Sequence, residues 1–170
     1  TAQRVTLPES ERAKAAAYII TATEGASQHL KALRSRPQDF DPATRDRFLA
    51  GALIPSQWYH QAQRFRSWYR DQLREIFQKF DIILAPTTPC CAPYLGQKTI
   101  EIAGENIQVR PHLGRFTQPI SFVGLPVLSV PIYRAGNLPL GVQLITSPYN
   151  EALLLRLASI LEREGIVTVS

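Results

Sequence analysis

Methionine is absent from the 170 residues, and cysteine is limited to the adjacent pair Cys90 and Cys91. A bridge between neighbouring cysteines is strained and rare, so the pair builds no disulfide framework. Two thiols without a set of histidine partners also make a poor metal site, which leaves free thiols in a reducing compartment. No apolar run approaches the ~20 residues that a membrane span needs. No secretory or transit segment opens the chain, so a cytoplasmic protein is expected. There is no Gly-Gly pair, no Gly-x-Ser-x-Gly elbow, no HExxH, no Walker loop and no GxGxxG. His29, His60 and His112 are isolated from one another in sequence, and packing or surface roles suit them better than general-base work. Residue 1 is Thr, which together with the missing methionine is compatible with a chain cut from something longer.

Dense basic runs are missing too, although the formal net charge is +5 and the isoelectric point is about 9.5. Arginines from Arg34 to Arg74 are interleaved with Asp41, Asp46, Asp71 and Glu75, the pattern of a solvated surface and not of a nucleic-acid face. The 45% hydrophobic content is ordinary for a globular protein. The length fits one domain, able to bury roughly two-thirds of its unfolded surface.

Periodicity then organises the chain. Val5 to Leu7 is a short apolar patch before Pro8, the end of a strand. Ser10 is read as the cap of a first helix, with Ala13, Ala16, Ala17, Ile20 and Ala22 at helical spacing. Gly25 either interrupts or merely thins that helix, Leu30 and Leu33 resume it, and Arg36-Pro37 ends it. Asp41-Pro42 supplies a capping carboxylate and a first-turn proline for a second helix to about Leu53. Trp58, Ala62, Phe65, Tyr69, Leu73, Ile76 and Phe80 recur every three or four residues along a third, long helix ended by Asp81. Glu75 and Lys79 have the favourable order for an i,i+4 pair on it.

Ile82 to Ala85 reads as a buried strand, followed by a loop stiffened by Pro86, Pro89 and Pro93. Thr99 to Ile102 and Ile107 to Val109 are predicted to pair as a hairpin around residues 103–106. Val127 to Tyr133 and Gly141 to Thr146 are two further strands. Asn150 is expected to cap a last helix with Leu153, Leu154, Leu157, Ile160 and Leu161 on its apolar face, stopped at Gly165. Val167 to Val169 is read as a short final strand. Helices mixed with apolar strands make the fold class α/β. Strands apolar on both faces want cover on both, and the helices here supply about one and a half faces, so the sheet is expected to continue in other polypeptide.

The segments TRDRFLAGAL, WYHQAQRFRSWYRDQL, DIILAPTTPCCAP, FTQPISFVGLPVLSVPI and PLGVQLITSPYNE follow one another in an order that closely resembles the C-terminal part of the amidase signature family. LGQKTIEI and VRPHLGRFTQPISFVGLP look most like the 1-carboxybiuret hydrolase branch, with the glutamyl-tRNA amidotransferase branch (its A chain) a less similar second. The resemblance covers nearly the whole chain. It implies a mixed sheet covered by helices, the C-terminal half of that fold, with residues 1–170 as part of a single amidase domain. It also implies hydrolysis or transfer of a small amide by a serine nucleophile, a second serine on a cis peptide and a lysine that starts the proton relay. Those groups belong to the N-terminal half, in and before a glycine- and serine-rich signature that is not in this sequence, and Lys14, Lys31, Lys79 and Lys98 match no catalytic position. No catalytic residue is therefore expected here, and acyl-enzyme formation needs an activated nucleophile and base. No metal or organic cofactor is implied. The implied partners are the missing N-terminal half, a small-molecule amide and a small accessory subunit; nucleic acid and membrane are not.

By the same resemblance, Arg47 matches an arginine that pairs with a substrate carboxylate in the glutamine-using branch, a task suited to a guanidinium; a structural ion pair is the alternative. Gly114 falls where that branch carries an acidic residue for the substrate amine, which argues against a glutamine substrate. Arg115 beside it is a candidate for a second anionic or carbonyl group. Thr117 and Gln118 lie on the loop entering the following strand and are candidates to face the pocket, and Thr88 sits on the proline-fixed loop after the first strand, where α/β sites are usually built. Loop hydrogen bonding is the alternative for all three. Two other functions stay open: a non-catalytic binding or scaffold module of the same fold, and one component of a tRNA-dependent amidotransferase.

Overall fold

The computed structural model describes residues 3–133 and 136–167. The chain falls into two compact units, one of Pro8–Asp71 and the other of Gln72 onward together with the residues before Pro8.

In the first unit, helix α1 (Ser10–Ser35) packs on α2 (Pro42–Ala52). Small side chains make the approach close: Ala13, Ala16, Ala17, Ala22 and Ala26 are buried on α1. Gly51 of α2 lies so near the Ala22 carbonyl that a Cβ there would collide with it, and a Cβ on Gly25 would run into the Phe48 ring. Gly25 thus does not interrupt the helix; it receives the neighbour. His29 stacks on Phe48, ring centroids 5.5 Å apart, with Phe40 edge-on at 5.9 Å, so it is a packing histidine. The cap of α1 falls one residue earlier than expected, on Glu9 in left-handed backbone, with Ser10 already helical. The helix ends at Ser35, before Pro37, as expected. Asp41 caps α2, accepting from the Thr44 N–H at 3.0 Å, with Pro42 in the first turn.

Helix α3 (Ser56–Phe77) carries the expected stripe, and Ala62, Tyr69 and Leu73 are buried. It stops before Phe80, where Gln78 and Lys79 form a turn and the Lys79 N–H bonds the Ile76 carbonyl at 2.9 Å. Trp58 at the other end is 53% exposed, contrary to its place in the stripe. Tyr59 donates to Glu24 at 2.8 Å and accepts from Gln63 at 2.9 Å, linking α1 to α3.

The second unit is built on a three-stranded antiparallel sheet in the order β1 (Ile82–Pro86), β5 (Leu140–Thr146), β4 (Val127–Ile132). A separate hairpin pairs β2 (Thr99–Ile102) with β3 (Glu105–Gln108). Its turn is two residues, Ala103 and Gly104, both at positive φ (53° and 83°), and not the four-residue loop expected. That primed turn matches the right-handed twist of its strands. One face of the larger sheet, with Leu128, Val130, Val142 and Leu144, packs against Leu154, Leu157 and Leu161 of α6 (Glu151–Arg163). Gly165 follows α6 at φ 68°, and the Ile166 N–H returns to the Leu161 carbonyl, the left-handed stop that glycine permits. β1 is less covered than expected: Leu84 shares the helix-facing side with Leu144 yet is 62% exposed. Val5 to Leu7 forms no strand, and the short strand expected from Val167 extends outside the described residues. Helices on a sheet are present as the sequence implies.

Candidate functional site

Where β1 ends at Pro86, the chain turns sharply beside β5. The Thr87 N–H bonds the Gly141 carbonyl at 2.8 Å, and Thr87 Oγ1 lies 2.8 Å from Ser129 Oγ of β4. Gly141 is required by this approach, since a Cβ there would come within 2.8 Å of Thr87 Cβ. Thr88, the candidate on this loop, turns its hydroxyl back to the Cys90 carbonyl at 2.8 Å. Cys90 and Cys91 are free and half-buried. Burial pushes the Cys90 thiol above its ordinary range, and the neighbouring Cys91 adds to it. Cys91 Sγ reaches the Leu138 carbonyl at 3.3 Å.

The second segment runs through two short helical turns, α4 (Val109–His112) and α5 (Gln118–Ser121). The Gly114 carbonyl gathers the bend between them: it accepts from the Gln118 N–H at 2.8 Å, the Thr117 N–H at 3.2 Å and Thr117 Oγ1 at 3.3 Å. Gln118 packs closely on Gly114, where a Cβ would stand 3.3 Å from Gln118 Cγ. Arg115 is half-buried, with its guanidinium 5.5 Å from the Phe116 ring centroid.

One residue that the sequence pattern does not mark as functional joins these two segments. Gln143, in the centre of β5, is 1% exposed. Its Nε2 donates to the Pro86 carbonyl and to the Phe116 carbonyl, each at 2.9 Å. Both partners are pure acceptors, so the amide can only be placed with its nitrogen toward them. Its Oε1 is buried with no partner among the described residues. Thr88 thus follows one anchored carbonyl by two residues, and Arg115, Thr117 and Gln118 flank the other. The signal lies in GVQLI: an amide inside an apolar strand must find buried partners.

Arg47 belongs to the other unit. It lies on α2, donates to Thr21 Oγ1 of α1 and rests over the Tyr18 ring. Its Nε is buried without a partner among the described residues.

Known proteins share this arrangement of segments. The family model described as Amidase matches residues 1–155. AtzE, a component of 1-carboxybiuret hydrolase in Pseudomonas sp. (strain ADP), is 48% identical over 161 residues, covering 94% of this chain and 35% of that protein. The fatty acid amide hydrolase of Oryza sativa subsp. indica is 32% identical over 164 residues, covering 94% of this chain and 27% of that protein. A solved structure described as a vestigial protein complex bearing on the origins of an s-triazine catabolic enzyme superposes with a TM-score of 0.94. It is 46% identical, with 99% of this chain and 37% of that one covered. This chain belongs to the amidase family, and it spans about a third of the length of the relatives it matches.

Proposed function

We propose that these residues form the C-terminal part of a single amidase domain in a longer amidohydrolase, which cleaves the C–N bond of a small, carboxylate-bearing amide. The single observation that carries this reading is the alignment of 94% of the chain with only 35% of the 1-carboxybiuret hydrolase component AtzE. The reacting Ser-Ser-Lys set would lie on the remaining polypeptide. The serine oxygen attacks the amide carbonyl, the C–N bond breaks, and the nitrogen leaves as ammonia or an amine carrying the transferred proton. Water then cleaves the ester, releasing the acid and restoring the serine hydroxyl. Backbone N–H groups at the developing oxyanion would lower much of the barrier.

On this reading Arg47, Arg115, Thr117, Gln118 and Thr88 contribute substrate contacts, with the arginines taking anionic or carbonyl oxygens. The N-terminal half is an obligatory partner, a small accessory subunit joins it, and the enzyme works in the cytoplasm. Leu84, Tyr94 and Leu95 are exposed apolar side chains of the sheet unit, which supports further protein covering them. No helix among the described residues is long and apolar enough to cross a membrane.

The test compares this segment with the complete polypeptide, measuring ammonia release from 1-carboxybiuret and labelling by a serine-directed probe. The segment alone should give neither, and the complete polypeptide both. Labelling of the isolated segment would overturn the proposal. The amidotransferase reading is weaker, since Gly114 stands where the glutamine-using branch is expected to carry an acid; salt-sensitive tRNA binding by the complete polypeptide would revive it.

A further inference from the structure

We infer that Gln143 is a positioning residue, one that fixes the spacing between the Pro86–Thr88 turn and the Phe116–Gln118 turn so that their side chains meet a substrate as one surface. This deepens the amidohydrolase reading and rests on it. Three observations carry it. A single nitrogen holds both turns, through the Pro86 and Phe116 carbonyls at 2.9 Å each. Those partners lie 57 and 27 residues away along the chain, so no local geometry could replace the link. The third is the cost. The amide is 1% exposed and its Oε1 is buried without a donor among the described residues. For packing alone, an apolar side chain of the same volume would serve better than an amide with one unsatisfied end. What the amide supplies, and Leu or Met would not, is a pair of donors with fixed directions.

The neighbours reinforce this geometry. Gln143 is in register with Ala85 of β1 and Ser129 of β4, so all three side chains stand on one face of the sheet. Ser129 meets Thr87 at 2.8 Å on that face. The first turn is therefore held from two sides, while the Phe116 carbonyl ties the second to β5 through Gln143.

The experiment uses the complete polypeptide carrying Gln143→Met, with Gln143→Asn as a milder variant should the first fail to fold. Hydrogen exchange by mass spectrometry should rise about tenfold in peptides covering both 86–91 and 115–121, with the α6 peptide unchanged. KM for 1-carboxybiuret should rise about tenfold with kcat within about twofold, and KM for neutral propionamide should move far less. Wild-type exchange in either segment overturns the link between the turns. Loosening that extends equally into α6 reduces Gln143 to a packing residue and overturns the positioning role, as does unchanged KM with both turns loosened. If the unsubstituted polypeptide hydrolyses neither amide, the hydrolase reading fails and the positioning role with it, whereas the exchange result still decides the link itself.

Discussion

The guanidinium of Arg47 sits 4.8 Å from the centroid of the Tyr18 ring, a cation held over a π-face between two packed helices. The planar group is thereby oriented while its Nε stays buried without a partner among the described residues. On the proposed function, Arg47→Ala in the complete polypeptide should raise KM for 1-carboxybiuret by about tenfold and leave a neutral amide nearly unchanged. Arg47→Lys should restore little, because an ammonium neither stacks in the same plane nor offers a fork. Equal effects on both substrates would remove Arg47 from substrate recognition.

Helices α1 and α2 meet backbone on Cα, at the Ala22 carbonyl and Gly51. Gly51→Ala should cost about 1–3 kcal/mol of stability, since the obstructing atom belongs to a helix and cannot swing aside. Gly25→Ala meets the Phe48 ring instead, which can turn, and should cost less. Chemical denaturation of both variants checks the order; an equal or reversed ranking contradicts the packing described.

Ala103 holds φ 53° in the hairpin turn, a backbone that alanine adopts reluctantly. Ala103→Asn should stabilise the protein by about 0.5–1 kcal/mol, and Ala103→Val should destabilise it by at least as much. Denaturant midpoints would show the two changes in opposite directions.

Burial pushes the Tyr69 phenol up to about 12 from its ordinary value near 10. A raised value in the folded state means the native protein holds the proton more tightly than the unfolded chain. The associated stability is fully present below about pH 10 and is lost as pH climbs toward about 12. Stability curves of the protein and of Tyr69→Phe should therefore run parallel below about pH 10, and above it the unsubstituted protein should lose stability relative to the variant. Parallel curves throughout would mean that Tyr69 ionises as freely as in the unfolded chain.

Local chemistry makes several elements legible. Asp41-Pro42 announces α2 because capping and first-turn proline act within four residues, and the Asp41–Thr44 bond follows. Leu154, Leu157 and Leu161 announce the buried face of α6 through spacing alone. The two-residue hairpin turn is not legible, because Ala103 carries no mark of the left-handed backbone it adopts. The exposure of Trp58 is not legible either: a periodic position says which face a side chain shares, not how far its cover extends.

The site divides the same way. The order of its motifs along the chain marks the family, and a nucleophile signature is missing from the sequence. Which residues meet was decided by tertiary structure: Thr87, not Thr88, crosses to Ser129, and Gln143 draws Pro86 and Phe116 to one nitrogen. Periods and caps are written into neighbouring residues because they rest on bonds spanning a few positions. A buried amide declares only that it needs partners, and closure of the chain around β5 determines which carbonyls those are.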